Sequence, residues 1–81
     1  MARILFFGKF SDVAAPVDAP LPKDVADLDG LIAWICASNP EIATLLAAPG
    51  SFVAVNGARV ETGCTLTDCD EIAFMSPVSG G

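Results

Sequence analysis

The chain has 81 residues, 53% of them apolar, and ten acidic against four basic side chains, for a net charge of -6. A chain of this length supports one core and buries roughly 60% of its unfolded surface, which argues against a second domain. Without clustered Lys and Arg it is not expected to bind nucleic acid, and without a run of roughly 18 apolar residues it is not expected to cross a membrane.

The first ten residues hold only four consecutive large apolar side chains, Ile4 to Phe7, too few for the apolar region of a signal peptide, so a cytoplasmic location is expected. The three cysteines, Cys36, Cys64 and Cys69, form no C-x-x-C pair and have no histidine to complete a zinc site. They read as reduced thiols, Cys36 on a helix and in the core, and the other two in turn-like sequence where partial exposure is expected. A mean hydropathy of +0.60 is high for so short a soluble chain and predicts apolar surface reserved for a partner.

In chain order, Arg3 to Phe7 reads as a strand apolar on both faces, which belongs in the middle of a sheet. Pro16, Pro20 and Pro22 follow, and because proline donates no ladder hydrogen bond, a second strand here, Ala14 to Leu21, must be an edge. From Asp27 the period changes. Leu28, Leu31, Ile32 and Ile35 recur at helical spacing, predicting one amphipathic helix to about Ala37, with Asp27 or Asp24 as N-cap. Asn39-Pro40-Glu41 restarts a short helical turn, Asn39 as its N-cap and Pro40 at its first position, which Pro49-Gly50 ends. Trp34, off the main stripe, is expected to pack at the edge of the core.

Phe52 to Val55 and Ala58 to Val60 flank Asn56-Gly57, a hairpin signal because a type I′ turn needs positive φ at both central positions. A two-residue turn pairs Val55 with Ala58 and Val53 with Val60 on the core side. Phe52, Ala54, Arg59 and Glu61 then fall on the other side. Glu71 to Met75 reads as the last strand, with Ile72 and Phe74 on one face, Ala73 and Met75 on the other. The order predicts an α+β domain over residues 1–75, one sheet and one main helix, followed by a flexible tail over 76–81. One helix covers one sheet face. Leu5, Phe7, Met75 and the Phe52, Ala54, Arg59 row are therefore expected on the uncovered face, where the reserved apolar surface would lie.

The closing residues, Ser76-Pro77-Val78-Ser79-Gly80-Gly81, reach roughly 20 Å when extended. Pro77 and Val78 stiffen the base, while Gly80 and Gly81 make the end thin enough to enter a narrow channel. No Ser/His or Cys/His pair, phosphate loop or metal cluster is present, so an independent enzyme is not expected. The reactive group left is the Gly81 α-carboxylate, which becomes an electrophile only after activation by another protein, for example as an acyl adenylate.

Three segments carry a resemblance: RILFFGKF (residues 3–10), the VNG hairpin (55–57) and LTDCDEIAFMSPVSGG (66–81). Through them the whole chain resembles the small subunits of molybdopterin synthase, ubiquitin-like sulfur carriers of the β-grasp fold. The resemblance implies adenylation of Gly81 by an adenylyltransferase similar to ubiquitin-activating enzymes, which uses ATP, and conversion to a thiocarboxylate. It also implies that the carrier itself binds no cofactor or metal. The tail, Pro77 to Gly81, would then enter the large subunit of the synthase and donate sulfur to cyclic pyranopterin monophosphate. The family's apolar contact surface carries over to Phe7 and Met75, beside Leu5 and the Arg59 face, with Lys9 as a rim charge.

The chain departs from the family pattern at three places. Cys69 replaces a glycine in an Asp-Gly-Asp turn. Met75-Ser76 replaces a Phe-Pro pair, which predicts a softer anchor and a more flexible tail base. Arg59 puts a charge where an apolar residue would fit the interface, and an acidic residue on the partner would answer it. Two alternatives stand beside this reading: a carrier for another pathway, such as thiamine, and a ubiquitin-like protein modifier.

Overall fold

Alternation along the strands sets the architecture: Ala2, Ile4 and Phe6, Val53 and Val55, and Ile72 and Phe74 are buried, while the residues between them are half-buried or exposed. The computed structural model describes residues 1–60 and 64–76. Its elements are β1 (Ala2–Phe6), a 3-10 helix (Gly8–Asp12), β2 (Val17–Ala19), α1 (Leu28–Ser38), α2 (Glu41–Leu46), β3 (Phe52–Val55), β4 (Ala58–Val60) and β5 (Glu71–Met75). The strands form one mixed sheet in the order β2-β1-β5-β3-β4. β1 runs parallel to β5, and the other neighbours are antiparallel. Two hairpin-like pairs flanking a central last strand, with one main helix, make this a β-grasp fold, as expected.

The α1 helix starts where Asp27, in extended conformation, accepts the Gly30 N–H at 2.8 Å. Leu28, Leu31 and Ile35 then face the sheet and join Ile42 of α2 in a single core with Ile4, Phe6, Ile72 and Phe74. It ends at Asn39, which leaves the helical region (φ -133°, ψ 79°) because the residue before a proline is crowded out of it. Asn39 therefore closes α1, and no side-chain bond caps α2, contrary to the expected N-cap. Trp34 also differs from expectation. It sits one residue before Ile35, about 100° round the helix, is 36% exposed and lies outside the core cluster.

Two strand expectations need adjustment. The second strand is an edge, but only three residues long. β1 is interior without being closed on both faces, since Arg3 is exposed and Leu5 only half-buried, and β5 holds the centre. The Asn56-Gly57 turn has φ of 52° and 84°, and it sets the expected register, Val55 with Ala58 and Val53 with Val60. Cys36 and Cys64 are half-buried against the core, and Cys69 is exposed.

Candidate functional site

The face of the sheet away from α1 is built from the alternate residues of the same strands. Register places Leu5 beside Ala73, Ala73 beside Ala54 and Ala54 beside Arg59, a row across four strands with two alanines at its middle. One step toward the end of β5, Met75 lies beside Phe52. Phe7, the residue after β1, donates its N–H to the Phe74 carbonyl at 2.9 Å, which extends the β1–β5 pairing to the strand ends. Phe7 is 45% exposed, whereas Met75 and Phe52 are half-buried. The face thus carries an apolar strip, Phe7, Met75 and Phe52, beside the residue where the described chain ends.

The polar members of the predicted set border this strip. The Arg59 guanidinium carbon lies 4.8 Å from the centre of the Phe52 ring, a cation–π stack that keeps the charge on the surface while its stem covers apolar area. Leu5 lines a shallow cleft of about 290 Å³ with Pro16, Val17 and the exposed Arg3–Asp18 ion pair, at the β2 end of the face. Lys9 is exposed on the 3-10 helix. Its backbone acts as well: the Lys9 N–H donates to Ser76 Oγ at 2.9 Å. Where the Ser76 replacement predicts a looser tail base, the structure gives its hydroxyl a partner.

Sequence reasoning missed two supports of this face. Phe10 is fully buried and meets the Phe74 ring edge-on at 5.7 Å, anchoring the 3-10 helix under the ends of β1 and β5. A lone phenylalanine among Lys9, Ser11 and Asp12 was the available signal. The second support links the Asn56 turn to the start of β5. Asp70 accepts the Thr67 N–H and the Asn56 side-chain amide, at 2.8 and 2.9 Å, and Asn56 Oδ1 accepts the Glu71 N–H at 2.9 Å. The Thr67 N–H first, and the Asn56 amide second, hold the Asp70 carboxyl below the usual aspartate range. Cys69 fits this turn without strain, because Asn56 is the one non-glycine residue with positive φ among those described.

The predicted tail residues Pro77, Val78, Ser79, Gly80 and Gly81, and Glu61 of the open face, lie outside the described residues. Among the described residues no group of His, Cys, Asp and Glu could hold a metal ion, and no helix is long and apolar enough to cross a membrane.

A sheet with one face under a helix and the other presenting an apolar strip beside the last strand's end defines a ubiquitin-like β-grasp protein. Residues 4–81 match the ThiS family model, and the chain belongs to the ThiS family. It is 30% identical over 81 residues to the molybdopterin synthase sulfur carrier subunit of Escherichia coli (strain K12), with both chains covered completely. Among solved structures, it is similar to SAMP1 from Haloferax volcanii, with a TM-score of 0.75 at 21% identity, covering 99% of this chain and 98% of that one. The HVO 2177 protein of the same organism is similar at a TM-score of 0.68 and 25% identity, with 99% and 85% covered.

Proposed function

We propose that this chain is the sulfur-carrier small subunit of a molybdopterin synthase, with the Gly81 carboxylate as its reactive group. The observation that carries the reading is the full-length similarity to the Escherichia coli sulfur carrier subunit, 30% identical with both chains covered completely. The apolar strip of Phe7, Met75 and Phe52 supports it, because a carrier must dock by its folded part while its end reaches a partner's active site.

In this reading, an adenylyltransferase of the ubiquitin-activating kind uses ATP to convert the Gly81 carboxylate into an acyl adenylate with release of pyrophosphate. A sulfur nucleophile displaces AMP and leaves a thiocarboxylate. Phe7, Met75, Leu5 and Arg59 seat the domain on the large subunit, Lys9 lies at the rim, and Pro77 to Gly80 carry the thiocarboxylate to cyclic pyranopterin monophosphate. The carrier supplies no acid, base or metal. Its contribution is to raise the local concentration of a sulfur donor in a fixed direction.

A carrier for another pathway is the second reading, favoured by the ThiS family match, which by itself names no single pathway. One experiment separates the two. Thiocarboxylated chain is mixed with the large subunit and precursor, alongside a form lacking Gly81. The first reading expects precursor conversion by the intact chain and none by the truncated one, with identical circular dichroism. Conversion by the truncated form overturns the terminal-carboxylate mechanism, and failure of the intact, thiocarboxylated chain to convert precursor favours another pathway.

A further inference from the structure

The root of the tail is held by a contact that neither the family match nor the apolar strip accounts for. β1 and β5 run parallel with Phe6 beside Phe74, so the next residues on the same rows set Gly8 beside Ser76. At that point β1 leaves the sheet for the 3-10 helix, pulled down by the buried Phe10, and the regular ladder stops. The Lys9 N–H would then lack a strand acceptor. Ser76 supplies one, its hydroxyl oxygen standing 2.9 Å from the Lys9 nitrogen across 67 positions of sequence.

Gly8 makes room for this bond. Its φ of +62° lies in the left-handed region, which disfavours any side chain. A Cβ built there would overlap Ser76 Oγ. The hydroxyl could turn aside only by releasing Lys9, and the Ser76 Cβ would remain 3.2 Å from the added carbon. Glycine at 8 and a hydroxyl at 76 are thus one device written at two distant positions.

We propose that the Gly8–Lys9–Ser76 contact is a latch that fixes the direction in which the tail leaves β5, making Ser76 a positioning residue for chemistry at Gly81. The functional half of this inference rests on the carrier reading. Docking by Phe7, Met75 and Phe52 sets how tightly an activating enzyme holds the domain, whereas the tail root sets how often Gly81 lies where it reacts. Loss of the latch therefore lowers turnover more than binding.

The test uses the full chain as Ser76→Ala, which deletes the acceptor, and Ser76→Thr, which keeps it. Residue 76 is only half-buried, so both variants should fold. Amide hydrogen exchange reads the latch without any partner. Lys9 should exchange about tenfold faster in Ser76→Ala, the size expected for one hydrogen bond, with Phe7 unchanged and Lys9 restored by Ser76→Thr. The cognate adenylyltransferase then reads its use through ATP–pyrophosphate exchange. Ser76→Ala should lower kcat by about three- to tenfold, in line with the loss of one hydrogen bond's worth of positioning, with KM unchanged, and Ser76→Thr should recover it. Unaltered Lys9 exchange in Ser76→Ala overturns the latch. Faster Lys9 exchange with kcat unchanged overturns its positioning role. A wild-type chain that drives no ATP–pyrophosphate exchange overturns the carrier reading, and the positioning role with it, whatever Lys9 does.

Discussion

The two faces of the sheet are drawn from alternate residues of the same strands and have opposite chemistry. On β5, Ile72 and Phe74 are fully buried under α1, while Ala73 and Met75, one residue away from each, remain half-buried on the open side. The covered face is filled with large side chains, with the Phe6 and Phe74 rings stacked 5.3 Å apart. The open face has small residues, Ala73 and Ala54, at its middle and an apolar strip, Phe7, Met75 and Phe52, at one end. A period of two lets one strand separate stability from recognition, because a substitution on one face need not disturb the other.

That separation is open to attack from both sides. Phe74→Ala removes a ring that packs on both Phe6 and Phe10 and should cost about 3–5 kcal/mol in urea unfolding. In a domain this small such a loss leaves little folded protein. Asn56→Ala should cost about 1–2 kcal/mol, since alanine tolerates positive φ poorly and both bonds of the Asn56 amide are lost. Met75→Asp should lower stability by no more than about 1 kcal/mol, yet weaken large-subunit binding by about tenfold or more in titration calorimetry, because it charges the centre of the apolar strip. Severe unfolding by Met75→Asp would erase the distinction between the faces.

The smallest effect concerns pH. Asp70 has a lowered carboxyl pKa in the folded chain, so its contribution is present above the ordinary carboxylate range and is lost as pH falls through the lowered folded value. The group is largely solvent-screened, so the loss should stay below about 1 kcal/mol. Unfolding midpoints measured from neutral to acid pH should therefore fall less steeply for Asp70→Asn than for the wild type. Equal slopes would remove Asp70 from the account.

What was legible in the sequence is what neighbours along the chain decide. Asn56-Gly57 announces its turn because positive φ is a local demand, and Leu28, Leu31 and Ile35 announce their helix by spacing. The resemblance of residues 66–81 pointed to a sulfur carrier, in line with the ThiS family match, and the alternation of Phe52 and Met75 placed the open face. Contacts that close across distance were not legible. The Asn56–Asp70 and Lys9–Ser76 bonds join positions 14 and 67 apart, and no local pattern encodes such a partner. Phe10 was hidden because a single apolar residue has no period, and Asn39 was misassigned because its side chain suits an N-cap while the proline after it governs its backbone.

The central proposal is that the Gly81 carboxylate is the reactive group of a sulfur carrier that docks through its folded part. The most direct measurement is the intact mass of the chain after co-expression with its cognate adenylyltransferase and sulfur source. The account predicts a gain equal to the difference between sulfur and oxygen, localised to Gly81 by fragmentation and absent when Gly81 is deleted. A chain that keeps its unmodified mass, or is found instead joined through Gly81 to lysines of other proteins, would contradict it.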